Sequence, residues 1–201
     1  MSATAIAGLY GKLPAHGDFV RRALPKSFVD PWDAWLQAGI EASRAALGEA
    51  WDDAWREGPP WRFALPAGAC GPDAVAGVMV PSEDSVGRRF PLTLAAIASS
   101  VTDDAWYAEL ERIAVAGRAG ETDADAVVAA MPAPPAAPVI DEVMAILSGA
   151  DAPPDAVEDG FPERPAHGWW TLGGGRLPAM VWETTTLPAP EEFAMLLDVP
   201  A

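Results

Sequence analysis

Three short apolar stretches, residues 61–65, 74–80 and 90–97, constrain the fold more than anything else in this chain. Each has the length of a strand and is too short for an ordinary helix. The segments between them are rich in Gly, Pro, Ser and Asp, which interrupt regular structure. Strands joined only by such loops pair antiparallel, because a parallel pair needs a crossover of a dozen or more residues. An antiparallel sheet is therefore the expected centre of the molecule.

The flanking sequence supplies helices. Ser27 is placed to cap a helix whose apolar residues Phe28, Trp32, Trp35, Leu36, Ile40 and Leu47 recur at three- and four-residue spacing, with Gly48 as its stop. Trp51 and Trp55 mark a short helical piece before Gly58-Pro59-Pro60. Asp103 or Asp104 begins another helix, carrying Trp106, Leu110, Ile113 and Val115 inward and Glu109 and Glu111 outward. Residues 5–13 form a strand running into a turn. Residues 169–172 and 177–182 flank Gly173-Gly174-Gly175-Arg176 as a β-hairpin, and 191–197 form a terminal helix. The tracts 131–138 and 150–165, dominated by Pro, Ala and carboxylates, are expected to be exposed loops, with a helical period at 139–147 between them. The fold class that follows is α/β in the α+β sense: a mainly antiparallel central sheet flanked by helices, in one domain spanning 1–201. Trp32, Trp35 and Trp61 are expected to be buried.

Charge and cysteine content narrow the function classes. The chain has 201 residues and a net charge of −16. Its first hundred residues carry 11 acidic and 9 basic side chains, its remainder 18 and 4. That field repels phosphate backbones, which argues against nucleic acid and anionic membranes as partners. No apolar run approaches the roughly 18 residues of a membrane-spanning helix, and Met1 to Leu9 lacks the basic start of a secretory signal. A lone cysteine, Cys70, suits a reducing compartment. The expected location is the cytoplasm.

Candidate chemistry is sparse. His16-Gly17-Asp18 brings a base and a carboxylate together, and with His167 they could form a 2-His-1-carboxylate metal site or the centre of a metal-dependent hydrolase. The competing reading is a polar turn. Gly173-Gly174-Gly175 lacks the following Lys-Ser/Thr and the helix N-terminus of a phosphate cradle. Cys70 has no histidine near it in sequence, and no nucleophile elbow is present. No enzyme class and no cofactor is expected. The segment 81–92 falls between two strand candidates. There Ser82 and Asp84 can bond backbone in a turn, Gly87 supports an unusual dihedral, and Arg88 and Arg89 stand where the chain re-enters the core. One of the two arginines is expected to reach a carboxylate.

Two blocks of sequence are familiar. Residues 11–22, Gly-Lys-Leu-Pro-Ala-His-Gly-Asp-Phe-Val-Arg-Arg, followed by Leu24-Pro25 and Trp32-Asp33-Ala34-Trp35-Leu36, resemble the N-terminal signature of the TagF/ImpM family associated with type VI secretion. Residues 81–92 match its second motif, and Trp169-Trp170 a looser third one. The resemblance implies a compact α/β sandwich. It also implies a non-enzymatic, post-translational repressor of type VI secretion that engages a cytoplasmic forkhead-associated scaffold protein. Some relatives are fused to a phosphatase domain, for which this chain has no room. A structural accessory subunit of the secretion assembly is the third reading; oligomeric state is left open. Lys12, His16, Asp18, Arg21, Arg22, Ser82, Asp84, Gly87, Arg88 and Arg89 are the residues the motifs single out for partner binding. The loops at 11–22 and 81–91 are expected to lie side by side, with Asp18 pairing to Arg88 or Arg89.

Overall fold

The computed structural model describes residues 6–97, 103–134 and 163–199. Seven strands, β1 (Ile6–Gly11), β2 (Val20–Arg22), β3 (Trp61–Leu65), β4 (Val75–Val80), β5 (Leu92–Ile97), β6 (Gly168–Thr171) and β7 (Met180–Glu183), make one sheet in the order β2-β1-β5-β4-β3-β6-β7. Every pairing is antiparallel. Helices α1 (Lys26–Leu47), α2 (Trp51–Glu57), α3 (Asp104–Arg118) and α4 (Ala124–Ala130) and a 3-10 helix, Pro190–Leu196, flank it. The fold is α+β, as the spacing of the apolar runs predicts.

Side-chain alternation along the strands divides the core in two. Tyr10, Phe63 and Trp169 face α1, α2 and the 3-10 helix, whereas their chain neighbours Leu9, Ala64 and Trp170 face α3 and α4. Strands β3, β4 and β5 are buried on both faces, which explains why they read as nearly continuous apolar runs, interrupted by Arg62 and Thr93, instead of alternating ones. The first layer is aromatic. Trp32 stacks on Trp169 with centroids 5.8 Å apart, and Trp35 lies 5.0 Å from Trp32. The indole N–H of Trp32 donates to the Thr93 hydroxyl (3.0 Å) and that of Trp35 to the Pro188 carbonyl (2.8 Å), whereas the Trp169 N–H is buried without an acceptor among the described residues. Trp61 donates to the Leu196 carbonyl at 2.8 Å. All three tryptophans are buried.

Several expectations are corrected. Ser27 does not cap α1: the helix begins at Lys26 with Pro25 as N-cap and no side-chain cap bond. Pro25 fixes an extended entry, and its carbonyl already receives the Phe28 and Val29 N–H groups. Asp103 does cap α3, accepting from the Ala105 N–H. On α3, however, Val115 is exposed, and Ala114 and Gly117 take the inner stripe instead. Glu111 does not point outward; it meets Arg62 of β3 at 2.7 Å, because a guanidinium on a buried strand needs a counter-charge. The terminal helix is of 3-10 type. Strand β2 lies in what the sequence reads as a loop, since two of its three residues are arginines.

The proline-rich tracts are partly docked where they are described. Met131 packs on the α3/α4 layer, and the Trp106 indole donates to the Pro132 carbonyl at 3.3 Å. Arg164 pairs with Asp104 at 2.6 Å and Pro165 is buried. The helical period expected at 139–147, with the rest of both tracts, lies outside the described residues.

Candidate functional site

Strands β1 and β5 pair with Gly11 opposite Leu92, so the segments leaving them, 12–19 and 81–91, emerge at the same end of the sheet. The approach is close. Gly11 has φ +134°, and a Cβ there would run into the Pro91 carbonyl, so only glycine fits. Loop 81–91 closes on itself through Asp84 N–H to the Arg88 carbonyl (3.1 Å), Gly87 N–H to the Asp84 carbonyl (2.9 Å) and Phe90 N–H to the Ser82 carbonyl (3.0 Å). Gly87, at φ +79°, supplies the left-handed residue of that turn.

Asp84 organises the pair of loops. It is 2% exposed. One carboxylate oxygen accepts the backbone N–H groups of Val86 (3.1 Å) and Arg88 (2.9 Å). The other accepts the Lys12 ammonium at 2.8 Å and the Arg88 Nε–H at 2.7 Å. Burial by itself would raise this carboxyl, but the Lys12 ammonium, the Arg88 N–H groups and the Val86 N–H together hold it well below the usual carboxylate range. Lys12 is buried beside it.

Further bonds tie this unit to its neighbours. The Ser85 N–H donates to the His16 carbonyl (2.9 Å) and the Arg88 Nη2 to the Gly17 carbonyl (2.5 Å). His16 Nε2 accepts the Ala124 N–H at the start of α4 (3.0 Å), and Arg22 pairs with Asp125 of α4 at 2.6 Å. Arg89 pairs with Asp52 of α2 and lies over the Trp51 ring. The two loops and the helices beside them are thus one hydrogen-bonded body.

The family model for the TagF N-terminal domain, type VI secretion system-associated, matches residues 8–133, the span that contains both loops. The chain belongs to the TagF family. It is also similar to the crystal structure of PA0076 from Pseudomonas aeruginosa PAO1, at 34% identity over 97% of each chain with a TM-score of 0.75. Among curated proteins none matches significantly.

Within this TagF-family chain most of the expected site residues fall into two groups; Arg21, exposed on β2, belongs to neither. Lys12, Asp84, Gly87 and Arg88 form the buried unit and its rim, while His16, Arg22 and Arg89 brace it. Ser82 is different: its hydroxyl is buried without a hydrogen-bond partner, and its carbonyl instead accepts the Trp55 indole N–H. Asp18 does not pair with Arg88 or Arg89. It is exposed and accepts the N–H of its own neighbour, Phe19, at 2.8 Å. Arg88 turns back on Asp84 four residues away, and Arg89 reaches α2, so neither needs a carboxylate from the other loop.

The metal reading fails on topology. His16 follows β1 and His167 precedes β6, four strand spacings or roughly 19 Å apart across the sheet. His167 lines an open depression with Ala166, Glu183, Thr184 and Thr185. Among the described residues no three His, Cys, Asp or Glu side chains converge as metal ligands. Cys70 is buried, and burial pushes its thiol up to about 12. No helix among the described residues is long and apolar enough to cross a membrane.

Two residues at the site escaped the sequence reading. Phe19 stacks on Tyr10 (6.0 Å), meets Phe90 edge-on (4.8 Å) and carries the Lys12 ammonium 4.9 Å from its ring centre, yet 45% of it is open to water. Val86, at the tip of the other loop, is 70% exposed. The signal was an apolar residue set among polar loop residues in each motif.

Proposed function

We propose that this TagF-family chain is a non-enzymatic, cytoplasmic repressor of type VI secretion that acts after translation by binding a forkhead-associated scaffold protein. The observation that carries the reading is the use to which the site's polar groups are put. Lys12 is engaged by Asp84, the His16 ring nitrogen Nε2 accepts a backbone N–H, and Arg88 bridges both loops. These groups hold a shape. A general base or nucleophile needs a free lone pair aimed at a cleft, and the lone pairs and cations here are used up in bonds that hold the two loops together. Arg21 and the outer rim of Arg88 face water there, and loops fixed by a rigid sheet are suited to recognition.

The test is a deletion of this chain in its own cells, read by release of type VI substrates into the medium and by the abundance of the secretion components. The expected result is raised release at unchanged component levels, reversed by the intact chain, together with direct binding of the purified chain to the purified scaffold. Unchanged release, or no binding, contradicts the proposal.

A further inference from the structure

Among the described residues, Ala23 alone is a non-glycine residue in the left-handed region of the backbone, with φ +61°. It sits between β2 and α1. The Leu24 N–H donates to the Arg22 carbonyl at 2.7 Å and closes a three-residue turn around it, of the rare and strained kind. The sheet makes room for that turn. A Cβ on Gly8 of β1 would run into the Arg22 carbonyl and crowd the Leu24 nitrogen, so β1 carries glycine where the turn lies against it. A residue in this conformation persists only where its surroundings over-determine it, and such residues gather at switch regions and ligand clamps.

The turn joins two parts that are held very differently. On its far side Leu24 and Phe28 lock the start of α1 into the aromatic layer. On its near side lies β2, three residues long at the outer edge of the sheet, paired to β1 at Leu9–Arg22, Tyr10–Arg21 and Gly11–Val20. Upstream, residues 12–17 are tied to loop 81–91 by the Lys12–Asp84 pair and by the Ser85 N–H and Arg88 on the His16 and Gly17 carbonyls. Phe19, at the bend, rests on Tyr10 and Phe90. Strand β2 has no comparable anchor. Val20 is its single buried side chain, and Arg21 is exposed. Arg22 meets Asp125 of α4, but that pair is 40% and 78% exposed, where an ion pair holds little. The segment 12–22 is thus fixed at its start by a buried carboxylate, and at its end by a short edge strand that a strained turn opposes.

We infer that β2 is a strained strap, poised to lift from the edge of the sheet. In the free chain it exchanges between the form described above, laid on β1, and a form lifted from it in which Ala23 relaxes to negative φ. The rest of the sheet and the Asp84 unit stay intact in both. Relaxation at Ala23 offsets part of what lifting costs, namely three residues of strand pairing and the burial of Val20. The recognition segment therefore has two forms, and the laid one sets Arg21 opposite Tyr10, the ring on which Phe19 stacks. A partner that binds the laid form clamps the strap. That last consequence rests on the regulatory reading above, whereas the strap itself does not.

Amide exchange of the free full chain, resolved by residue with nuclear magnetic resonance, tests it. In the parent, the β2 amides that pair with β1 should open at least ~100-fold more readily than those of Val78 and Leu94 in the central strands, which open only on global unfolding. Ala23→Gly and Ala23→Asn both suit positive φ and should slow the β2 amides by about 5- to 10-fold. Asn keeps a Cβ, so a slowing that both variants share does not come from added chain freedom. Ala23→Val, β-branched and ill-suited to the turn, should speed them; if it does not fold, the Gly and Asn variants carry the test. The amides of β7, which open without disturbing the turn, should ignore residue 23. Equal protection of β2 and the central strands would show that β2 leaves only when the whole chain unfolds. Exchange of β2 that is indifferent to residue 23 would show that the turn stores no strain. Either result overturns the strap. The measurement uses the free chain, so a scaffold protein that does not bind would sink the regulatory reading alone.

Discussion

The α1 face of the sheet and the loop pair at its β1–β5 end hide their central residues almost equally well, and by opposite means. Trp32 is fully buried among Phe28, Trp35, Phe63 and Trp169, and a single hydrogen bond satisfies its one polar atom. Asp84 is just as enclosed, but what surrounds it is two cations and two backbone N–H groups. Apolar burial is non-directional and tolerates adjustment, so the first region holds the fold together. A buried carboxylate accepts only one arrangement of donors, so the second region fixes the position of two loops. The fold is stabilised in one place and given a defined surface in another.

The largest effect should come from the aromatic layer. Trp32→Ala removes a ring that four other aromatic side chains touch and leaves the Thr93 hydroxyl without its donor. The expected loss is about 3–5 kcal/mol by urea unfolding. A loss below about 1 kcal/mol would show that the layer repacks freely and would erase the contrast. Lys12→Met comes next. It keeps the aliphatic stem but removes one of the two cations on Asp84, leaving Arg88 as the other, and should lower the Tm by about 5 °C with the far-ultraviolet spectrum unchanged.

The contrast also has a pH signature. The Asp84 carboxyl is held below its ordinary value, so its contribution is fully present above the unfolded-state value of about 4 and is lost as pH falls through the folded-state value. The stability gap between the parent and Asp84→Asn should therefore be flat from about pH 7 to 5 and shrink below about pH 4. The gap between the parent and Trp32→Ala should not follow that course. Smallest of all is Arg21→Glu, which should change stability by about 0.5 kcal/mol or less, because its side chain makes no hydrogen bond or ion pair.

The two regions were unequally legible in the sequence. Strands β3, β4 and β5 and helix α1 announce themselves by apolar runs and by tryptophans at helical spacing, because burial selects residue types directly. The loop pair is another matter. Both motifs are visible, and their adjacency follows from placing β1 beside β5, but no spacing rule says which carboxylate is the hub. Asp18, next to a glycine and two arginines, looks the better candidate than Asp84; the turn around Gly87 brings Arg88 back over Asp84 and reverses that choice. Strand β2 is hidden for a related reason. Its pairing with β1 comes from the path of the chain, while its residues advertise a charged loop. Phe19 shows the limit most clearly, because exposure of an aromatic residue depends on its neighbours and not on its own identity.

The central claim is that the loops at 12–22 and 81–91 form one recognition surface held in shape by Asp84. Hydrogen–deuterium exchange of the full chain, with and without the purified forkhead-associated scaffold protein, tests it most directly. The account predicts added protection concentrated in those two segments, with α3 and β7 unchanged. Protection confined to α3 or β7, with the loops exchanging as in the free chain, would contradict it.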